Sequence, residues 1–185
     1  MAKLILSMNV SLDGYVDDVD GGLVMGAPSP EVFRFWIESI RRHAGTIYGR
    51  TMYEVMRYWD VDHPEWPESE RVALQEFATV WRRMPKWVVS SMLSEVGPNA
   101  TLISGDIETK VRDLKANTEG EISVSGPRTA GLMTDFGLVD EYHLIVRPYV
   151  LGKGKPFFHA ARPPLTLISN TQLDKETLHL VYASS

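Results

Sequence analysis

Two short stretches of this chain gather glycine, arginine and hydroxyl side chains where a strand gives way to a helix. One is Ser125-Gly126-Pro127-Arg128-Thr129; the other is Gly49-Arg50-Thr51. Glycine can take the positive φ that a tight turn needs, and proline presets the first helical φ. A helix start offers unpaired N–H groups and the positive end of the dipole, so it suits an anion. Arg128 and Arg50 add full charges beside the two turns. Each stretch also has a plainer reading. Gly126 can simply permit the turn, and Thr51 with Glu54 can form a capping box. On these residues alone both readings stand.

The elements that must position these turns follow from periodicity. Residues 3–10 are a nearly continuous apolar run, as in a central strand. Ser11-Leu-Asp13-Gly14 then turns polar, and a strand ending in an Asp-Gly loop is a usual place for ligand contacts; Asp13 can equally serve the turn itself. Residues 17–30 have no period and read as a loop. Phe33, Trp36, Ile37 and Ile40 predict a helix over 30–43. Thr46-Ile-Tyr is a short strand ahead of Gly49. Residues 57–67 are an aromatic loop, fit to wall a pocket or to meet a second copy.

Glu68 to Arg83 reads as a helix with Ala73, Phe77, Val80 and Trp81 on one face. Lys86–Ser91 is a strand, with Ser90 and Ser91 at its end as loop caps or ligand groups. Thr101–Ser104 is another strand, and Asp106 caps a helix over 107–116. Ile122–Ser125, a helix carrying Leu132, Met133 and Phe136 and stopped by Gly137, and Tyr142–Val146 form a βαβ unit. Residues 165–169 and 177–183 read as two antiparallel strands.

Composition narrows the function classes. The chain has 185 residues, 44% hydrophobic, enough for one domain with its own core. Its net charge of −5 argues against bulk nucleic-acid or anionic-membrane binding. Cysteine is absent, so disulfides, thiolate metal sites and thiol catalysis are excluded, and a reducing cytoplasm fits. No apolar run is long enough to span a bilayer, and the N-terminus lacks the pattern of a secretion signal. The five histidines are scattered, which predicts no metal site. There is no Gly-x-Ser-x-Gly elbow and no Walker loop. Few groups remain for catalysis by the protein itself, which suits hydride transfer from a cofactor.

The ordered set Ser11-Leu-Asp-Gly14, Gly49-Arg-Thr-Met-Tyr-Glu54, Lys86-Trp-Val-Val-Ser-Ser91, Val124-Ser-Gly-Pro-Arg-Thr129, Gly137-Leu-Val-Asp-Glu-Tyr-His-Leu144 and Pro148-Tyr-Val-Leu-Gly-Lys-Gly-Lys-Pro-Phe-Phe158 resembles the dihydrofolate reductase superfamily. It is most similar to the branch containing the reductase domain of riboflavin biosynthesis. The family has two adjacent glycines at the phosphate turn; here Pro127 is the second. The resemblance implies NADPH as cofactor, held by Gly14, Gly49, Arg50, Thr51, Met52, Ser90, Ser91, Ser125, Gly126, Pro127, Arg128 and Thr129. Arg50 would face the 2′-phosphate, and two anion-binding turns on one sheet fit a dinucleotide. On the substrate side the resemblance points to Asp13 and Glu31 as catalytic candidates, with Trp36 and Tyr53 as substrate contacts. In dihydrofolate reductase proper an acid near the start of the first helix binds the pterin; Phe33 stands at that point here, with Glu31 the nearest carboxylate.

The expectation is one α/β domain over residues 1–185. It has a mixed, mostly parallel central sheet, helices on both faces and antiparallel C-terminal strands. The expected activity is NADPH-dependent reduction of a pterin-, pyrimidine- or ribosyl-type small molecule by a cytoplasmic homodimer. Dihydrofolate reduction itself, and a non-catalytic nucleotide-binding protein on the same fold, are the alternatives.

Overall fold

The structure is a computed structural model and describes residues 1–17, 25–159 and 164–184. Its strands are β1 (Lys3–Val10), β2 (Tyr15–Asp17), β3 (His43–Gly49), β4 (Lys86–Val89), β5 (Ala100–Ile103), β6 (Glu121–Ser125), β7 (Glu141–Val146), β8 (Lys155–Pro156), β9 (Thr166–Gln172) and β10 (Leu178–Ala183). Its helices are α1 (Pro30–Arg42), α2 (Arg50–Met56), α3 (Arg71–Arg83), α4 (Ile107–Asn117) and α5 (Pro127–Asp135).

Eight strands form one sheet in the order β5-β4-β3-β6-β1-β7-β10-β9. The six from β5 to β7 are parallel, and β10 and β9 are antiparallel to their neighbours. Parallel strands with helical crossovers are covered on both faces, which is why β1 is apolar at consecutive positions. Leu4 and Leu6 pack with Ile47, Ile122, Val124, Ala130 and Met133 under α4 and α5. The opposite face carries α1 and α3, joined through Ile37, Phe77 and Trp81.

Several boundaries differ from the sequence expectation. His43 turns extended directly from α1, so β3 begins there rather than at Thr46. The helix expected from Glu68 starts at Arg71, because Glu70 N–H bonds the Pro67 carbonyl and closes a turn first. Residues Arg57–Asp60 within the aromatic loop form a 3-10 turn. A small β2–β8 sheet pairs the loop after β1 with the segment before Phe157. These short pairings are set by partners far away in sequence, and periodicity carries no trace of them. Part of the expected 17–30 loop lies outside the described residues. No helix among the described residues is long and apolar enough to cross a membrane.

Candidate functional site

The two glycine turns are neighbours. β3 and β6 pair in parallel with Tyr48 opposite Ser125, so Gly49 and Gly126 leave the sheet side by side. A Cβ added to Gly49 would overlap the Thr129 hydroxyl, and one added to Gly126 would lie 3.3 Å from Met52 Cβ. Gly126 has φ 96°, which an L side chain rarely adopts. Thus α2 and α5 start against each other at one sheet edge.

The α5 terminus is open. Its first helical bond runs from Ala130 N–H to the Gly126 carbonyl at 2.9 Å, and no side chain caps it. Pro127 has no N–H, so the amides of Arg128 and Thr129 are left for a ligand. The Arg128 side chain is exposed and has no ion pair among the described residues. Thr129 is buried against Gly49.

At the neighbouring turn Arg50 donates from Nη1 to both oxygens of Glu54, at 3.0 Å each. Both side chains are exposed, so this pair is weak and exchangeable. The capping box read from Thr51 and Glu54 does not form. α2 begins at Arg50 with Gly49 as its cap, so Thr51 falls inside the first turn, and Glu54 is engaged by Arg50. Ser90 Oγ accepts from Met92 N–H at 3.0 Å and Leu93 N–H at 3.1 Å, the loop-capping arrangement; Ser91 is exposed beyond it. A hollow of about 320 Å³ lies between α2 and this loop, bordered by Glu54, Arg57, Leu93 and Val96.

The candidates on the substrate side are dispersed. Asp13 Oδ1 accepts from Ser11 Oγ–H at 2.6 Å and from Leu151 N–H at 3.1 Å, and Oδ2 accepts from Gly152 N–H at 2.6 Å. The Ser11 hydroxyl, with these amides, holds its carboxyl below the usual range. Asp13 therefore clamps the loop of Gly14, φ 87°, onto residues 149–152, and its lone pairs are occupied. Glu31 is exposed in the first turn of α1, at the same sheet edge as the turns. Trp36 is half-buried against the α1–α3 cluster. Tyr53 is 4% exposed among Tyr48 and Val88, and its hydroxyl accepts from Gly97 N–H at 2.8 Å, so it packs α2. Phe33 stacks on Phe77, 5.3 Å between ring centres, and α1 brings no acid to the position the pterin needs.

Sequence reasoning missed three residues on the face of β1 and β7 toward α1. Ser7, Asn9 and Arg147 carry buried side-chain atoms without a hydrogen-bond partner among the described residues. The signal was present: Ser7 and Asn9 are polar residues at period two inside an apolar strand, and an arginine ends β7 ahead of Pro148.

Residues 2–179 match the RibD C-terminal domain family. The chain belongs to that family. A Bacillus subtilis relative, the uncharacterized protein YyaP, is 27% identical and matches 97% of this chain and 94% of its own length. A putative riboflavin biosynthesis protein from Shewanella sp. PV-4 superposes with TM-score 0.74 at 22% identity, covering 100% of this chain and 99% of that one. The dihydrofolate reductase of Enterococcus faecalis, complexed with NADP(H), superposes with TM-score 0.66 at 10% identity, covering 98% of this chain and 95% of that one. At these identities the two superpositions establish a shared dihydrofolate reductase-like α/β fold.

Proposed function

We propose that this protein is an NADPH-dependent reductase that delivers hydride to a pyrimidine-, pterin- or ribosyl-type small molecule, as in the reductase step of riboflavin biosynthesis. The observation that carries the reading is the contact of Gly49 with Thr129, which joins two helix starts into one crevice. The open amides of Arg128 and Thr129 suit a pyrophosphate, and Arg50 suits a 2′-phosphate once it leaves Glu54. The residues present therefore fit the cofactor, although Pro127 withholds one amide. When bound, the reduced nicotinamide supplies the hydride. The chain's own part is to bind and orient: Gly126 lets the backbone approach, and Asp13 fixes the loop beside the end of β1.

Dihydrofolate itself is disfavoured by the place of Phe33, which sits in the α1–α3 cluster where an acid is needed. The expected working unit is a homodimer. Strand β9, exposed along its length with Leu167 and Ile168 outward, offers an unpaired edge for it. Titration with NADPH, read by nicotinamide fluorescence, tests the reading. Saturable binding at micromolar levels with at least tenfold preference over NADH, about 1.4 kcal/mol, is expected. No binding at millimolar NADPH would leave the non-catalytic alternative in its place.

A further inference from the structure

Arg147 is 7% exposed. Its Nη2 donates to the Ala27 carbonyl at 3.3 Å, and its Nε–H finds no acceptor. No carboxylate lies within ion-pair distance among the described residues. A buried guanidinium without a counter-charge is costly, because the Ala27 carbonyl and the Tyr149 ring, 6.0 Å from Cζ, replace only part of the lost water. Such a group is complementary to a negative charge that arrives from outside.

Arg147 N–H bonds the Val10 carbonyl at 2.8 Å, which fixes the backbone at the C-terminal edge of the sheet. Ala27 leads into α1, a 13-residue helix whose positive end opens at this edge. Glu31 stands exposed in the first turn at that end; Asp174 also lies there, and it is occupied. It accepts from Ser29 Oγ–H at 2.5 Å and from the amides of Glu176 and Thr177 at 2.9 Å and 2.6 Å.

Ser7 and Asn9 lie on the same face. The register pairs Ser7 with His143 and Asn9 with Ile145, so these side chains alternate onto the Arg147 side. Ser7 Oγ and Asn9 Oδ1 are buried and unpartnered as well. The one other orphan among the described residues is Trp81 Nε1, in the α1–α3 cluster. The Arg147 guanidinium is the donor to an oxyanion here, with the Asn9 carboxamide nitrogen two residues back along the ladder; the orphaned Asn9 Oδ1 only accepts, and Ser7, about 13 Å back, takes no part. Strand β7 stands two places from β6, whose end bears Gly126. Two strand spacings are about 10 Å, room for one ring system between the phosphate turn and Arg147.

We propose that Arg147, with Asn9 beside it, is the receptor for an oxyanion, phosphate or carboxylate, on the substrate that shares the crevice with the cofactor. The word substrate rests on the reductase reading; the anion site does not.

The test is the side-chain Nε–H NMR spectrum of the full chain, with the Arg147 signal assigned as the one lost in Arg147→Met. The protein is titrated with inorganic phosphate and, separately, with acetate. A saturable shift of the Arg147 signal in either arm is expected. Phosphate alone identifies a phosphoester substrate and acetate alone a carboxylate; with a shift in both arms, the anion with the lower Kd identifies the class. A signal unmoved by either anion at about 100 mM, far above the millimolar Kd that a few hydrogen bonds sustain, overturns the proposal. Arg147→Met should keep its NADPH affinity within about twofold, a change too small for a lost phosphate contact. A larger loss would assign the arginine to the cofactor and overturn the proposal too. If wild type shifts with anion but binds no NADPH, the receptor stands and the reductase reading falls.

Discussion

The Thr129 hydroxyl fills the space where a side chain on Gly49 would begin. Gly49 has an ordinary negative φ, so the glycine is there for closeness and not for backbone conformation. Gly49→Ala should cost about 2 kcal/mol, the scale of overpacking, and should abolish cofactor binding. Thr129→Ala removes the obstructing oxygen and leaves only Thr129 Cβ, 3.6 Å from the new methyl group. The double variant should recover most of the loss in urea unfolding; strictly additive losses would contradict the contact.

Arg50 is held by Glu54, and the proposed 2′-phosphate would have to displace that carboxylate. Arg50→Ala should weaken NADPH about tenfold or more while NADH barely changes, the scale of a lost charge-assisted hydrogen bond. Glu54→Gln should tighten NADPH severalfold by freeing the guanidinium. Equal losses for both nucleotides in Arg50→Ala would remove Arg50 from the 2′-phosphate.

Burial, with the nearby charges of Arg42 and His143, presses His43 down to about 4. A depressed histidine stays neutral in the fold while the unfolded chain takes a proton below about 6.5. Stability should therefore fall as pH drops from 6.5 to 4, by about 3 kcal/mol from this residue, and level off below. His43→Gln should flatten that slope in urea midpoints.

Asp174 lies at about 2, first through its bond from Ser29, then through the amides of the β9–β10 turn. Its depressed value gives a loss of the same direction, as pH falls, in a lower window. The stabilisation is complete above the ordinary carboxylate value of 3.8 and disappears as pH falls toward about 2. Asp174→Asn should lose less stability than wild type between pH 4 and 2.

Arg147→Met should raise the stability of the ligand-free protein by about 1 kcal/mol, since a buried unpaired charge gives way to an apolar chain of similar length. A lower Tm would mean that the guanidinium is satisfied in solution.

The parallel core was legible because strands buried on both faces read as apolar runs, as in residues 3–10. Asp106 was legible as a cap, and it accepts from Thr109 N–H at 3.1 Å. The join of the turns was only half legible. Gly49 and Gly126 are marked by type, but their adjacency depends on β3 pairing with β6, a choice that local pattern does not encode. Tyr53 and Ser90 looked like ligand contacts because a hydroxyl in sequence does not reveal its partner. The fold gives these hydroxyls to Gly97 and to the loop after β4. Arg147 was passed over because an arginine at a strand end normally reaches water, and only the packing around it shows otherwise.

Strand β1, the earliest strand of this fold in the chain, lies between β6 and β7, while β3 pairs with β4 as well as with β6. Roughly two thirds of the chain must be translated before β1 can close either ladder, so early nascent chains present its bare hydrogen-bonding edges. Neither half can assemble the crevice by itself. The crevice between Gly49 and Gly126 therefore cannot close until α5 has been made, and a chain that stops before β6 carries an unpaired β1 in place of that hollow.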